Sequence, residues 1–434
     1  MTASTALRTD QYELTMLDAA LRDGTAHRRC VFELFGRRLS GGRRFGVVAG
    51  QGRLMSLLRD FRFGDDELRF LRDRRIVSDE ALAYLEGYRF SGSITGYREG
   101  ELYFPGSPLL TVEGTFADAV ILETLALSVL NYDSAVATAA ARMSIAAGER
   151  PLAEMGSRRA HEEGAVAAAR AAHIAGFTAT SNLEAGRRWG VPTMGTAAHA
   201  WTLLHDTEQD AFRSQIAALG SDTTLLVDTY DIAEGVRRAV EIAGPSLGGV
   251  RIDSGDLPLV AAAVRDQLDA LGATDTTITV TSDLDEYAIA ALTASPVDAY
   301  GVGTSVVTGS GYPTAGLVYK LVARENGAGE WESVAKKAEG KGSVGGRKTA
   351  FRRLANGRAV AELVLGADAE AGDARPLEVG YVRSGSFDDA HEGADGVRAA
   401  RAHHLAVREE LPVRALALSK SDPAIPTVYE VRDS

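Results

Sequence analysis

The sequence contains only one cysteine, Cys30, among 434 residues. A single cysteine excludes an internal disulfide and any zinc site built from several thiolates, and it fits a reducing cytosol. No apolar run reaches the ~18 residues that a membrane-spanning helix needs, and the first residues lack the apolar segment of a signal peptide. We therefore expect a soluble, cytoplasmic protein.

Positive charge is also in the minority, with 47 Lys and Arg residues against 59 Asp and Glu residues and a formal net charge of −12. This balance argues against general affinity for nucleic acid or for an anionic membrane, because both are polyanions. A local basic site is still compatible with it, since a phosphorylated substrate needs only a few cations. The chain length suggests two or three domains.

The region 220–313 alternates short apolar runs with helical patterns, and the runs lie at 224–228, 249–253, 278–282 and 297–303. This rhythm predicts βαβ units and a parallel sheet. Similar units at 176–181 and 191–196 extend the series, so we predict an α/β fold with an irregular TIM-like (β/α) barrel at 119–325. An N-terminal α+β domain (1–118) and a C-terminal segment (326–434) flank it. A long helical stretch at 116–147 is expected to break near 131–134.

Acids, hydroxyls and glycines follow the predicted strands, and ligands bind at the carboxyl ends of strands in such folds. In RIDSGD (251–256), the carboxylates can hold a ribose diol or a magnesium ion, with Arg251 beside an anion. The alternative is that Asp253 or Ser254 only caps the next helix. In GVGTS (301–305), glycine N–H groups and Thr304 can approach a phosphate, or the segment is a tight turn.

Other candidates are single residues, for which a structural role is the alternative. His199 follows a predicted strand and can act as a base, acid or nucleophile. Arg158 and Arg159 are adjacent, so one can face an anionic substrate while the other makes an ion pair. Tyr12, in the first predicted helix, is an ordinary half-buried tyrosine when judged from its surroundings in the sequence.

Taken together and in order, these segments resemble the nicotinate phosphoribosyltransferase family of type II phosphoribosyltransferases. The resemblance rests on TDQYELTM (9–16), EMGSRR (154–159), TSNLEAG (180–186), MGTAAH (194–199), LVDTYD (226–231), RIDSGD (251–256) and YGVGTS (300–305). It implies condensation of nicotinate with 5-phosphoribosyl 1-pyrophosphate (PRPP) to nicotinate mononucleotide and pyrophosphate in NAD salvage. It further implies Mg²⁺, stimulation by ATP, a homodimer with shared active sites, and a C-terminal segment packed with the N-terminal domain.

The resemblance also assigns roles to residues. It makes His199, Asp228 and Asp253 catalytic, with His199 as the phosphohistidine and Asp253 as a possible contact for Mg²⁺. The nicotinate site comprises Tyr12 (from the neighbouring subunit), Arg158, Ser181, Thr196 and Arg251. The PRPP site comprises Arg159, Ser254, Gly255, Asp256, Gly301, Gly303 and Thr304.

Two positions bear on the substrate. Related nicotinamide phosphoribosyltransferases carry an aspartate where this chain has Ser181, and an aspartate would repel the carboxylate of nicotinate by several kcal/mol. Serine therefore favours the acid over the amide. Where this chain has Met155, many family members have an aromatic residue that stacks on the pyridine. The methionine sulfur can contact the pyridine ring instead, and such a contact is favourable by roughly 0.3–1.5 kcal/mol.

Three other functions compete with this interpretation. Quinolinate phosphoribosyltransferase is the first, but it needs more basic residues for a dicarboxylate and no ATP step. A relative that uses nicotinamide is the second, and Ser181 disfavours it. The third is a barrel that binds sugar phosphates without catalysis, which the presence of His199, Arg251 and Thr304 disfavours. The role of the lysine- and glycine-rich loop at 336–348 stays open.

Overall fold

The computed structural model describes residues 4–335, 342–367 and 369–430. The chain divides into two compact units. Unit 1 consists of Met1–Thr138 and Tyr312–Ser434, and unit 2 consists of Ala139–Gly311. The division of the sequence after residues 118 and 325 stays a prediction. Part of the 336–348 loop, residues 336–341, lies outside the described residues.

The first segment of unit 1 contains both helices and strands, and its last helix continues into unit 2. Its elements are α1 (Gln11–Asp23), β1 (Arg29–Gly36), β2 (Gly46–Val47), α2 (Gln51–Arg59), α3 (Asp65–Asp73), α4 (Asp79–Glu86), β3 (Ser93–Tyr97), β4 (Leu102–Tyr103), β5 (Pro108–Thr115), α5 (Phe116–Val120) and α6 (Glu123–Ala147).

The predicted break near 131–134 is wrong, because α6 continues through it. Two polar side chains there find partners in unit 1: Asp133 pairs with Arg53, and Ser134 accepts a hydrogen bond from the N–H of Ala49. Polar residues disfavour a helix interior mainly when they compete for its backbone, and these two are bound elsewhere. The helical stretch is interrupted earlier, between α5 and α6.

Unit 2 repeats strand and helix. Its elements after α6 are β6 (Leu152–Glu154), α7 (Glu162–Ile174), β7 (Ala179–Thr180), α8 (Leu183–Trp189), α9 (His199–Leu204), α10 (Glu208–Leu219), β8 (Thr224–Leu226), α11 (Ile232–Ala243), β9 (Gly249–Ile252), α12 (Leu257–Ala270), β10 (Thr277–Val280), α13 (Glu286–Ala291), β11 (Ala299–Val302) and α14 (Thr304–Val307).

The six strands of unit 2 form one parallel sheet in the order β7-β6-β11-β10-β9-β8. The four strands predicted between 220 and 313 are confirmed, each within three residues at its ends. Their apolar side chains are buried, among them Leu225, Val250 and Ile278 at 0% exposure. The strand predicted at 191–196 is reduced to one bridge between Thr193 and Thr180. Strand pairing within the described residues therefore gives a parallel sheet and not a closed ring.

The last segment returns to unit 1. Its elements are β12 (Leu317–Glu325), β13 (Trp331–Ser333), β14 (Lys348–Ala355), β15 (Arg358–Gly366), β16 (Arg375–Pro376), β17 (Glu378–Arg383), β18 (Ser386–Phe387), α15 (Gly393–Arg408) and β19 (Thr427–Glu430). A seven-stranded sheet, β13-β12-β1-β5-β3-β17-β18, interleaves strands from both ends of the chain. A four-stranded sheet, β16-β14-β15-β19, and the β2–β4 pair complete unit 1. In the described part of the chain no helix is both long and apolar enough to span a bilayer.

Candidate active site

A cavity of about 290 Å³ opens at the carboxyl edge of the parallel sheet in unit 2. Residues at or just beyond the ends of β6, β9, β10 and β11 line it: Met155, Arg158, Arg159, Arg251, Asp253, Thr281, Ser282, Asp283, Gly301, Gly303 and Thr304. Seven of the predicted site residues are thus brought to one place. Three arginines and two aspartates give the wall a net positive charge, which suits an anionic ligand.

Arg251 lies on β9, and its guanidinium is held in place by a neighbouring loop. Its Nη1 donates a 2.6 Å hydrogen bond to Oγ1 of Thr196, and its Nη2 lies 4.0 Å from Oδ2 of Asp253. Burial lowers the pKa of the Arg251 guanidinium, while the charges of Asp253 and Asp228 act in the opposite direction. An arginine still keeps its charge under these conditions. The group is therefore a fixed cation at the cavity wall.

Two carboxylates near Arg251 are each anchored through one oxygen. Oδ2 of Asp228 accepts hydrogen bonds from the backbone N–H of Asp253 (2.9 Å) and from the Ser254 hydroxyl (2.7 Å). Oδ1 of Asp253 accepts a 2.5 Å hydrogen bond from Thr281. The remaining oxygens, Oδ1 of Asp228 and Oδ2 of Asp253, each lie 3.9 Å from Nε2 of His199. One histidine nitrogen therefore faces two carboxylates.

The alternative that Asp253 or Ser254 only caps the next helix is wrong. Asp256 is the residue that caps α12, with Oδ1 facing the N–H of Leu259 at 3.5 Å. Because Asp253 and Ser254 bond to Thr281 and Asp228 instead, their side chains serve the site and not the helix.

Gly301, within β11, has a packing role in this structure. A Cβ atom on Gly301 would lie 2.6 Å from Cγ2 of Thr281 and 2.7 Å from Sδ of Met155. Any side chain at position 301 would displace these two cavity residues. Thr304 is exposed at the start of α14, where its hydroxyl is accessible to a ligand.

Some predicted site residues lie outside the cavity wall. Ser181 follows β7 and is exposed, and its N–H bonds to the carbonyl of Glu154. Gly255 lies in the exposed loop before α12. Tyr12 belongs to unit 1, on the outer face of α1, where 45% of its surface is exposed. Burial and then the charge of Glu123 raise the pKa of the Tyr12 hydroxyl to about 12, so the ring is neutral at physiological pH.

The sequence interpretation assigned no role to four residues that belong to this site. Thr281, Ser282 and Asp283 line the cavity, and Oγ1 of Thr229 lies 3.2 Å from Nδ1 of His199. Their position after β8 or β10 was the available signal, since they occupy the same strand-end positions as the predicted residues. Ser282 has a φ of 114°, a region that residues with a side chain rarely occupy.

The fold and the cavity define an α/β protein with a positively charged cavity at the carboxyl edge of a parallel sheet and a histidine that faces two acids. The family model for the nicotinate phosphoribosyltransferase (NAPRTase) N-terminal domain matches residues 7–131. Nicotinate phosphoribosyltransferase pncB1 of Mycobacterium tuberculosis is 54% identical over 97% of this chain and 94% of its own length. The nicotinate phosphoribosyltransferase of Bacillus subtilis is 38% identical over 74% of this chain and 67% of its own length.

A solved structure agrees with these sequence relatives. The crystal structure of human nicotinic acid phosphoribosyltransferase superposes with a TM-score of 0.83 at 26% identity, covering 97% of each chain. The chain belongs to the nicotinate phosphoribosyltransferase family. The resemblance read from the seven sequence segments is confirmed.

Proposed function

We propose that the protein joins nicotinate to PRPP, giving nicotinate mononucleotide and pyrophosphate. The cavity that brings Arg158, Arg159, Arg251 and Asp253 together beside Gly301 carries this proposal. Both substrates are anions, and three arginines at one strand edge provide the charge that they need. The 54% identity to a mycobacterial protein of that name supports the choice of nicotinate among the pyridines.

The test offers nicotinate, nicotinamide and quinolinate separately with PRPP, each with and without ATP, and identifies the products by mass spectrometry. We expect nicotinate mononucleotide with nicotinate alone among the three. Equal or preferred use of nicotinamide or quinolinate would assign the chain a different substrate. No nucleotide product from any of them would support a barrel that binds sugar phosphates without catalysis.

Nicotinate would bind with its carboxylate toward Arg251, whose guanidinium Thr196 orients. Arg158 would contribute further positive charge, Ser181 would avoid the repulsion of an aspartate, and Tyr12 of a second copy would stack on the ring. The pyridine nitrogen has no proton to lose, so this step needs no general base. Asp228 and Asp253 would orient the ribose while positive charge develops at C1.

The phosphates of PRPP would lie along the glycine-rich strand end and the adjacent loop, with Arg159 beside them. This set comprises Gly301, Gly303, Thr304, Ser254, Gly255 and Asp256. Magnesium would travel with PRPP: Mg²⁺ is commonly bound by one or two carboxylates together with substrate phosphates. Asp253 fits that use.

ATP would enter as a co-substrate that phosphorylates His199, and hydrolysis of the phosphohistidine would reset the enzyme. The ring is 42% exposed, so a nucleotide can reach it. His199→Ala should abolish the stimulation by ATP and keep a slow turnover without ATP. Undiminished stimulation in that variant would exclude this role.

A homodimer would complete the site. Large apolar side chains are exposed on the helices and loops that follow the strands of unit 2: Leu183 (77%), Leu203 (61%), Leu204 (75%), Tyr230 (59%) and Leu259 (70%). On α1 of unit 1, Tyr12 and Met16 are also exposed. An interface between copies would bury such side chains. Two further points are proposed: the parallel sheet closes into a barrel, and the protein is cytoplasmic.

A further inference from the structure

We propose that Thr229 is a positioning residue that fixes the ring and the tautomer of His199. The contact is direct: Oγ1 of Thr229 lies 3.2 Å from Nδ1 of His199. Because 42% of the histidine side chain is exposed, packing restrains the ring only in part. The hydroxyl is therefore the group that restrains the ring on the Nδ1 side.

The electrostatic surroundings of the ring select one tautomer. Nε2 faces Oδ1 of Asp228 and Oδ2 of Asp253, each at 3.9 Å. Oδ1 of Asp228 is buried and accepts no hydrogen bond from the described residues. Two carboxylate oxygens favour a proton on Nε2, because an N–H group is attracted to them and a lone pair is repelled. Nδ1 then carries the lone pair, and the Thr229 hydroxyl donates to it.

The capping of the next helix does not explain Thr229. Helix α11 begins at Ile232, and Asp231 caps it through a 2.9 Å hydrogen bond from the N–H of Glu234 to Oδ1. The Thr229 side chain is half-buried and bonds to the histidine, 30 residues away in the chain. Its hydroxyl therefore serves His199.

The functional consequence rests on the proposed phosphorylation of His199. The Nδ1 lone pair forms the bond to the γ-phosphorus of ATP while the bond from that phosphorus to the bridging oxygen breaks, and ADP leaves with the electron pair. No proton is released from the ring, since Nε2 keeps its hydrogen. The Thr229 hydroxyl can then move its hydrogen bond from Nδ1 to a phosphoryl oxygen. A phosphoryl group on Nε2 would instead face both carboxylates.

Two matched variants test the role of the hydroxyl. Thr229→Val keeps the shape and removes the hydroxyl, whereas Thr229→Ser keeps the hydroxyl and removes a methyl group. The first readout is ¹⁵N NMR of the imidazole nitrogens in the resting full-length protein at a pH where the ring is neutral, with His199→Ala assigning the signal. The second is the rate at which radiolabelled ATP phosphorylates His199.

We expect the wild type and Thr229→Ser to show a hydrogen-bonded Nδ1 lone pair and a protonated Nε2. Thr229→Val should shift the Nδ1 signal and slow phosphorylation about tenfold, the effect of one lost hydrogen bond. Its melting temperature should equal that of the wild type, which a general folding defect would not allow. An unchanged Nδ1 signal and phosphorylation rate in Thr229→Val would overturn the proposal. If the wild type is never phosphorylated, the ATP role fails, and the NMR comparison alone decides the role of Thr229.

Discussion

Nη1 of Arg251 donates a 2.6 Å hydrogen bond to Oγ1 of Thr196, although 55 positions separate the two residues in the chain. Arg251 lies on β9, and Thr196 lies in the segment before α9. This hydrogen bond fixes the plane of the guanidinium. A guanidinium in a fixed orientation is best placed to form two parallel hydrogen bonds to a carboxylate.

The first prediction concerns this pair. Arg251→Lys should raise KM for nicotinate about tenfold or more and change kcat less, because a lysine keeps the charge but loses the two-pronged geometry. Thr196→Val should produce a smaller increase, about threefold, and Thr196→Ser should behave like the wild type. Steady-state kinetics with varied nicotinate measures all three. A KM for nicotinate that Arg251→Lys leaves unaltered would remove Arg251 from the nicotinate site.

The second prediction concerns substrate charge. Ser181→Asp should raise KM for nicotinate about tenfold, since like charges that approach each other cost energy. The neutral variant Ser181→Asn has a similar size and should have a much weaker effect. Ser181 is exposed and lies outside the cavity wall, so solvent should reduce the penalty from the several kcal/mol expected for a buried pair. Equal KM values for the two variants would refute the charge argument.

Much of the site could be predicted because parallel strands obey a positional rule. Arg251, Asp253, Gly301 and Thr304 all lie at the ends of strands, and the carboxyl ends of parallel strands share one edge. No knowledge of side-chain contacts was needed. The same rule could have included Thr281, but its role depends on a hydrogen bond to Asp253 that no sequence pattern encodes.

Other features could not be predicted because they depend on distant partners. Strand β1 pairs with β12 about 290 residues later, and short-range periodicity carries no information about such pairing. Helix α6 continues past Asp133, whose carboxylate is bound by the distant Arg53. The positive φ of Ser282 could not be predicted either, because serine has no preference for that backbone conformation.

The third prediction concerns that strained serine. Ser282→Gly should stabilise the protein by ~1 kcal/mol, because glycine adopts a φ of 114° without the steric cost that serine bears. Ser282→Ala retains the Cβ atom and should give no such gain. Chemical denaturation of the three proteins measures the difference. Equal free energies of unfolding for the glycine and alanine variants would show that position 282 stores no strain.

The fourth prediction concerns a shared active site. Tyr12→Ala and His199→Ala should each lose ATP-stimulated turnover as purified homodimers. After the two are unfolded together and refolded, about a quarter of the sites should be intact, because half of the dimers are mixed and each holds one complete site. A mixture that recovers no stimulated activity, although gel filtration shows mixed dimers, would place Tyr12 outside the neighbouring site.

The fifth prediction concerns a buried ion pair in unit 1. Glu33 is 2% exposed and its Oε1 lies 3.0 Å from Nζ of Lys348, which is also buried. Burial raises the pKa of the Glu33 carboxyl to about 7 from 4.5, and the charge of Lys348 limits the rise. Nζ of Lys348 also donates to the carbonyls of Val344 and Gly346. The lysine thus joins a buried acid to the loop before β14.

The sign of the pH dependence follows from this raised pKa. The folded protein binds a proton at Glu33 more tightly than the unfolded chain does, so this stabilisation is complete below about pH 4.5 and is lost as the pH rises through about 7. Over that interval the free energy of unfolding should fall by up to ~1.4 kcal/mol per pH unit from this group. Glu33→Gln should remove that slope, as urea unfolding at a series of pH values can measure.

Glu33→Gln removes the pH dependence of the free energy of unfolding, whereas removal of Lys348 should make that dependence steeper. Lys348→Met leaves a buried carboxylate without its cation and should cost ~3–5 kcal/mol at neutral pH, with a larger loss as the pH rises. The double variant Glu33→Gln with Lys348→Met should recover most of that loss, because it buries no charge. If the double variant is as unstable as Lys348→Met alone, the cost lies in the lost carbonyl contacts at Val344 and Gly346, and the ion pair contributes little.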